Sequence, residues 1–306
     1  MPSEEADSSL ISLTNQWVIR FKDLLSIPKL SDEPFAVKPA TKVKSNKYGD
    51  VYPMTSHPRG FCIIIDNQLF AGNTLPFRTG SRNDAYRLAD VFSQLLFDVK
   101  LYTNKTSVEM KTLLQDVIAK NNELVSHDAL AIIILSHGVK DEIYGTDGLT
   151  VSVDTIIGYF NNKNCPLLIN KPKMFFLSAC RGSQIDSGIK KSLNSSPRPM
   201  GSLGAAASVM PTWSDIFVYY STIEGYASLR NVSTGSWFGY ELANCLAEFA
   251  HREHLHDLVT IKVAERLHER ISEMNGSTIK QAIETQTKGF VKKLYFNPGF
   301  CAIEKK

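Results

Sequence analysis

Two uninterrupted apolar runs constrain the fold of this 306-residue chain more than any other feature. FCIIID (61–66) and ALAIIILS (129–136) show no polar alternation, so each predicts a strand that is covered on both faces. Further strands are predicted at DVKLYT, KMFFLSA, DIFVYYST and, last, GFVKKLYF (289–296). Helical segments separate most of these strands. This alternation predicts an α/β fold, a three-layer α/β/α sandwich with a mostly parallel central sheet.

Helices are predicted where apolar residues recur at helical spacing. One lies in RNDAYRLADVFSQLL (82–96), and another begins at the capping box formed by Thr106 and Glu109. Three more are predicted at 153–160, 237–250 and 257–271. The segment DEIYGTDGLTV (141–151) has the pattern of a hairpin.

The chain is expected to divide into four stretches. Residues 1–57 read as an N-terminal extension with one possible helix in LISLTNQWVIRFKDLL, followed by a flexible connector. This extension is either a pro-segment or adaptor-docking helix, or a tail with little structure. Residues 58–186 and 215–306 carry the regular α/β pattern. Residues 187–214, rich in Ser, Gly, Pro and Ala, read as a flexible linker between them.

Composition argues against several classes of partner. A net charge of +3 is too small to predict a nucleic-acid partner or an anionic membrane. No apolar run approaches the roughly 18 residues that span a bilayer, and the polar N-terminus is not a secretory signal. Five irregularly spaced cysteines without a CxxC pair predict neither a disulfide framework nor a metal site. We therefore expect a cytoplasmic protein without metal or organic cofactor.

Two reactive side chains follow predicted strands. His137 and Gly138 come after AIIILS, and Cys180 comes after FFLSA. In open α/β sheets, sites form beyond the carboxyl ends of the strands. A thiol and an imidazole at neighbouring strand ends are the two groups that a cysteine hydrolase needs, although either residue alone is more often structural.

The residues around Cys180 also resemble the caspase signature Q-A-C-[RQG]-G, with Ser178 in place of glutamine. Further caspase-like segments follow in family order over roughly residues 52–297. They are PRGFCIIIDN, PFRTGSRNDA, ILSHG, GTDG, KPKMFFLSACRG, VYYSTIEGYASLRN, GSWF and KKLYF. The serine variant and YFNPG are similar to nematode cell-death caspases.

The resemblance implies a cysteine endopeptidase that cuts proteins after aspartate in programmed cell death. Cys180 would be the nucleophile and His137 its acid/base partner. The backbone N–H groups of Gly138 and Cys180 would form the oxyanion hole, and the carbonyl of Pro76 would orient His137. Residues 58–186 and 215–306 would be the large-subunit and small-subunit parts of the catalytic domain.

The resemblance also implies an aspartate pocket made by Arg78 and Arg230, because two guanidinium groups hold a carboxylate strongly. Ser178 would contribute less than the usual glutamine. The segment YASLRN, with Ser228 and Leu229, would pair with the substrate backbone, and Trp237 would line the pocket for the residue four places before the cut. Because Ala227 and Leu229 replace aromatics, we expect tolerance of bulky residues just before the aspartate.

Activation is expected to be atypical, because residues 187–214 contain no Asp or Glu. The candidate processing sites are Asp186 and Asp215 at the margins of this linker, and Asp50 upstream. The expected partners are protein or peptide substrates, a second copy or another caspase joined through GFVKKLYF, and an adaptor bound by residues 1–57. No nucleic-acid or membrane partner is expected.

Two alternatives remain open at this point. A caspase-like protein could regulate a partner protease without cutting, as the atypical linker favours. A nucleotide-binding α/β module is the other, although neither a GxGxxG nor a GK[ST] loop follows the first strand.

Overall fold

A computed structural model describes residues 18–20, 36–44, 48–120, 122–186, 211–274 and 277–300. The strands are β1 (Val18–Arg20), β2 (Gly60–Asp66), β3 (Asp98–Thr103), β4 (Ala129–Leu135), β5 (Gly138–Val139), β6 (Glu142–Tyr144), β7 (Thr150–Ser152), β8 (Lys173–Ser178), β9 (Ile216–Tyr220), β10 (Arg230–Asn231), β11 (Gly235–Ser236), β12 (Ser272–Met274), β13 (Ser277–Ile279) and β14 (Glu284–Lys288). The helices are α1 (Ser81–Gln94), α2 (Ser107–Ala119), α3 (Val153–Tyr159), α4 (Trp237–Phe249), α5 (Leu255–Asp257) and α6 (Ala264–Glu269). A π-helical segment (Leu258–Val263) joins α5 to α6, and 3₁₀ turns lie at Ala71–Asn73, Asn122–Val125 and Pro166–Leu168.

Among the described residues, seven strands form the central sheet in the order β1-β3-β2-β4-β8-β9-β14. The five inner strands are parallel, and β1 and β14 run antiparallel at the two edges. The strands β5, β6 and β7 form a small separate antiparallel sheet, as predicted for the hairpin. The predicted mostly parallel α/β sandwich is confirmed.

Both faces of the central sheet are covered, which explains the continuous apolar runs. Along β2, Cys62 and Ile64 pack in a cluster with α1, α4 and the segments that follow α4. Phe61, Ile63 and Ile65 pack in the opposite cluster with α2 and α3. Alternate side chains of a strand point to opposite faces, so a strand buried on both sides has no polar position left.

The helix caps follow the sequence closely. Thr106 accepts a hydrogen bond from the Glu109 amide while the Glu109 carboxylate accepts one from the Thr106 amide, so the predicted capping box is present at α2. The helix predicted over 257–271 begins earlier, at Leu255, and ends at Glu269. Its middle is π-helical, a feature that apolar spacing does not encode.

The prediction for the last strand is wrong. The strand is the polar segment Glu284–Lys288, which pairs with β9, and GFVKKLYF follows it as irregular chain. The chain turns at Gly289, whose φ is +56°. Leu294 and Phe296 are fully buried in the core, whereas Val291 is 82% exposed. These apolar residues therefore fill the core from a loop, and the open edge of the sheet is polar.

The N-terminal prediction is wrong for the part that the structure describes. Val18–Arg20 lies inside the proposed helix but forms β1, which pairs antiparallel with β3. A weakly periodic segment has little intrinsic helix stability, and the edge of β3 offers backbone hydrogen bonds instead. The rest of that helix, and linker residues 187–210, lie outside the described residues. The four proposed chain divisions remain predictions.

In the described residues, no helix is both long enough and apolar enough to cross a bilayer. The same residues contain no group of three or more His, Cys, Asp or Glu side chains arranged to hold a metal ion.

Candidate active site

The register of two neighbouring strands brings the thiol and the imidazole to the same edge of the sheet. In the parallel pair β4–β8, Leu135 lies opposite Ser178. The Ser136 amide then donates to the Ser178 carbonyl at 3.2 Å. His137 and Cys180 each follow that matched pair by two residues. The carboxyl ends of β4 and β8 therefore bring the His137 and Cys180 side chains to the same place.

Gly138 lies directly against the backbone that carries the thiol. A Cβ at this position would lie 2.8 Å from the Cys180 carbonyl oxygen, 2.9 Å from the Ala179 Cβ and 2.9 Å from the Glu142 carbonyl oxygen. These distances are shorter than real Cβ contacts, so only glycine fits there. The His137–Gly138 and Ala179–Cys180 segments are therefore packed backbone to backbone.

His137 is oriented by a carbonyl and an aromatic ring. Its Nε2 lies 2.8 Å from the Pro76 carbonyl oxygen, and the Phe70 ring centroid lies 5.0 Å from its ring. A carbonyl can only accept a hydrogen bond, so Nε2 carries the proton and Nδ1 of the neutral ring is left as the proton acceptor. Burial lowers the pKa of His137, and the positive charges of Arg78 and Arg230 lower it further, against the raising effect of the Pro76 carbonyl.

Cys180 is half-buried, unlike Cys62, Cys165 and Cys245, which are buried. Its Sγ accepts a hydrogen bond from the Ser228 amide at 3.3 Å. The thiol is therefore reachable and lies beside the segment that carries Ser228.

Arg78 is buried, with 2% of its surface exposed, and is fixed by three acceptors. Its Nη1 donates to the Ser81 hydroxyl at 2.5 Å and to the Asn67 carbonyl at 3.3 Å, while Nη2 donates to the Ser178 carbonyl at 3.4 Å. Its Nε is buried and has no hydrogen-bond partner among the described residues.

Two buried carboxylates balance the charge of the arginines. Asp66 lies 3.7 Å from Arg78 and accepts from the Ser81 hydroxyl at 2.6 Å. Asp84, also fully buried, accepts from the Ser236 amide at 2.7 Å. Burial raises the pKa of both carboxyls, that of Asp84 to about 6. Burial and then the charge of Arg230 lower the pKa of Arg78 to about 10, so its guanidinium stays charged at pH 7.

Arg230 begins β10, which pairs with β11. Its side chain is partly buried, and none of the described residues forms a hydrogen bond or an ion pair with its guanidinium. Burial lowers the pKa of Arg230, and Asp84, Cys180 and Asp66 offset this. These mutual electrostatic effects place Arg230, Arg78 and Cys180 around one locus.

Ser178 is 1% exposed, and its hydroxyl lies 3.4 Å from the Ser236 hydroxyl. The short side chain is thus satisfied by a neighbouring hydroxyl within the protein, so a ligand does not have to complete its hydrogen bonding.

The segment 227–230 runs between the thiol and α4. The Leu229 carbonyl accepts from the Trp237 amide at 3.1 Å, and the Leu229 amide donates to the Gln281 side chain at 2.7 Å. Trp237 is 7% exposed and belongs to the core cluster, with the Arg270 guanidinium 5.8 Å from its ring. Both side chains, Leu229 and Trp237, are buried next to Arg230.

Sequence reasoning missed the buried groups behind these residues: Asp66, Ser81, Asp84, Ser236 and Gln281. A charged residue that ends an otherwise apolar strand could have marked Asp66. Asp84 lies in the first turn of α1, where acidic residues are common for helix-dipole reasons alone. For Gln281 no sequence signal exists, because its importance lies in contacts with residues more than 50 positions away.

The candidate processing sites differ in accessibility. Asp50 is exposed, and Asp186 is part-buried with its carbonyl bonded to the Lys280 amide at 2.8 Å. Asp215 is 2% exposed and accepts hydrogen bonds from Tyr52 and Ser214, each at 2.7 Å. A protease could not reach Asp215 without first disrupting this buried network.

Comparison with known proteins agrees with this geometry. A family model described as the caspase domain matches residues 59–295. Human caspase-9 is 35% identical over 235 residues, which cover 68% of this chain and 56% of the relative. Chicken (Gallus gallus) caspase-2 is 31% identical over 266 residues, 81% of this chain and 61% of the relative. Bovine (Bos taurus) caspase-3 is 32% identical over 249 residues, which cover 80% of this chain and 87% of the relative. The chain thus matches less than two thirds of the length of the first two relatives.

Proposed function

The chain belongs to the caspase family, and on that premise we propose that it is a cysteine endopeptidase that cuts protein substrates after aspartate. The observation that carries the proposal is the pairing of β4 with β8, which brings His137, Gly138 and Cys180 together beside Arg78. We place its role in programmed cell death and in the cytoplasm, by analogy with the family.

The chemistry follows from the groups at the site. Nδ1 of neutral His137 takes the proton of the Cys180 thiol, and the sulfur attacks the backbone carbonyl carbon of the substrate aspartate. The N–H groups of Gly138 and Cys180 stabilise the oxyanion. His137 then gives its proton to the departing amine as the C–N bond breaks. Water hydrolyses the resulting thioester, His137 again accepting a proton, and the thiol is restored.

Aspartate is selected by charge. Arg78 and Arg230 bind the substrate carboxylate, because paired guanidinium groups hold a carboxylate strongly. Asp66 and Asp84 keep the two cations close together before substrate arrives, because they offset the mutual repulsion. Ser228 and Leu229 position the peptide backbone, Trp237 lines a more distant pocket, and Ser178 contributes weakly from beneath Ser236.

The direct test is hydrolysis of a fluorogenic four-residue peptide that ends in aspartate. We expect cleavage by the wild-type chain, no cleavage by Cys180→Ala and unchanged cleavage by Cys165→Ala, which removes a buried thiol elsewhere in the fold. A matched peptide with asparagine in place of aspartate should not be cut.

A wild-type chain that cuts neither this peptide nor protein substrates would favour the second candidate function. That candidate is a caspase homologue that regulates a partner protease without cutting. The absence of acidic residues from 187–214 is the observation in its favour. The intact set of Cys180, His137, Arg78 and Arg230 weighs against it.

The proposed dimer uses β14 rather than GFVKKLYF. In the described sheet, β14 is an edge strand that pairs only with β9. A second copy placed antiparallel and centred on Gln286 would set Glu284 opposite the charge of Lys288, so the segment is self-complementary. Thr287→Pro should abolish the dimer in sedimentation velocity, because proline removes a ladder donor. A heterodimer with another caspase and an adaptor bound by residues 1–57 are further proposals of the same kind.

A further inference from the structure

We propose that Gln281 is a positioning residue that fixes residues 227–230 as the strand onto which the substrate peptide adds. This inference rests on the proposed protease function. Gln281 lies between β13 and β14, well separated in sequence from the segment that it contacts, and its side chain is 2% exposed.

Both ends of the Gln281 amide are used. Its Oε1 accepts from the Leu229 amide at 2.7 Å, and its Nε2 donates to the Ser221 carbonyl at 2.7 Å. The reverse orientation would place donor against donor and acceptor against acceptor. A buried amide that is bonded at both ends has one orientation only, so it is a rigid spacer between Leu229 and Ser221.

The bond to Leu229 decides which backbone groups remain for a substrate. In an extended strand, the N–H and C=O of one residue point to the same side, and those of its neighbours to the other. The backbone groups of Leu229 point toward the protein, because its carbonyl accepts from the Trp237 amide and its amide donates to the Gln281 side chain. The amide of Ser228 therefore points outward, where it meets the Cys180 sulfur at 3.3 Å. The backbone groups of Arg230 also point outward. Its partner in the ladder is Ser236, whose amide donates to Asp84 and so is not bonded to Arg230.

The bond to Ser221 ties this strand to the nucleophile. The Ser221 amide donates to the Leu177 carbonyl at 3.0 Å, and its hydroxyl donates to the Ala179 carbonyl at 3.3 Å. A continuous path of hydrogen bonds thus runs from the residue before Cys180, through Ser221 and Gln281, to Leu229. Gln281 thus helps to set the separation between the sulfur and the substrate-pairing strand, together with the bonds that join Arg181 to Gly225 and Tyr226.

This arrangement predicts that Gln281 affects long substrates and spares short ones. A peptide with four residues before the cut pairs with the outward groups of residues 228–230 and needs them in register. An acyl-aspartate amide, with only the aspartate, meets that strand mainly through the Arg230 side chain and makes few backbone pairs with residues 228–230. A residue needed merely for folding would affect both substrates equally.

The test compares Gln281→Met with wild type on those two substrates. Methionine keeps the volume but removes both hydrogen bonds, and it leaves the buried Leu229 N–H without a partner. We expect kcat/KM on the four-residue peptide to fall roughly tenfold or more, chiefly through KM, with less than about a twofold change on the acyl-aspartate amide. The matched control is Gln94→Met, which also breaks a bridging amide, between Val37 and Asp90, and should change neither value.

Equal losses on both substrates, or no loss on the peptide, would overturn the role of Gln281 and leave the protease function intact. A wild-type chain inactive on both substrates would overturn the protease function and this inference with it. If Gln281→Met does not fold, Gln281→Glu gives the same comparison, because it keeps an acceptor for Leu229 but loses the donor to Ser221.

Discussion

Replacing Gly138 with alanine should damage the chemical step far more than substrate binding. The added methyl would lie 2.8 Å from the Cys180 carbonyl oxygen and 2.9 Å from that of Glu142. Ordinary contact begins near 3.4 Å, so the surrounding backbone must retreat by about 0.6 Å. Both crowded oxygens belong to main chain, which cannot rotate away as a side chain can. The displacement therefore falls on the nucleophile itself.

The size of the effect follows from that displacement. Misplacing a reacting group by about 1 Å can cost on the order of a hundredfold in rate, so we expect kcat to fall by about tenfold or more. KM should change little, because Arg78 and Arg230 lie on other segments. Overpacking should also lower the free energy of unfolding by about 1–3 kcal/mol.

The assay is steady-state hydrolysis of the four-residue aspartate peptide, with urea denaturation on the same preparations. Gly158→Ala is the control, because its methyl would lie 3.6 Å from Trp213, an ordinary contact, in the last turn of α3. It should leave kcat unchanged and leave stability equal or slightly higher. Wild-type kcat in Gly138→Ala, or a loss confined to KM, would refute the argument from contact distances.

Three further outcomes are expected. Ser178→Gln should raise kcat/KM on the aspartate peptide about tenfold, because it restores a hydrogen bond to a charge worth about 1.5–3 kcal/mol; an unchanged value would contradict this. The lowered pKa of His137 keeps most of the imidazole neutral at pH 6.5, so the acid limb of kcat/KM on the aspartate peptide should have its midpoint below that pH, and a midpoint above it would count against the proposed environment. Asp215→Asn should cost about 3 kcal/mol in urea denaturation, because it leaves buried Lys173, 4.0 Å away, without a countercharge; a loss below 1 kcal/mol would exclude this role.

The sequence predicts the inner strands of the sheet well because burial on both faces produces continuous apolar runs that are easy to recognise. Strands β2 and β4 are buried at every position, and both are therefore apolar along almost their whole length, with Asp66 at the end of β2 as the charged exception. The edge strand β14 escapes prediction for the opposite reason. ETQTK has no apolar residue, and its place in the sheet is decided by pairing with β9. Leu294 and Phe296 are buried core residues of a loop, and their apolar pattern resembles that of a strand in the sequence.

The same division holds at the site. The proposed catalytic residues, Cys180 and His137, can be picked out in the sequence because the apolar strands that precede them are recognisable. The buried partners are not visible, since Gln281 and Asp84 act through contacts with distant segments. Their identity follows only when the three-dimensional path of the chain is known.

The order of the groups along the chain has one more consequence. Cys180 and His137 precede residues 187–210, whereas the strand that carries Ser228 and Arg230 follows them. The halves are joined by the ladder between β8 and β9, from Lys173 opposite Ile216 to Leu177 opposite Tyr220. Two separately produced polypeptides should therefore reassemble on mixing. One polypeptide would carry Cys180 and His137, the proposed catalytic residues, and the other would carry Ser228 and Arg230, which are proposed to select the bond that is cut.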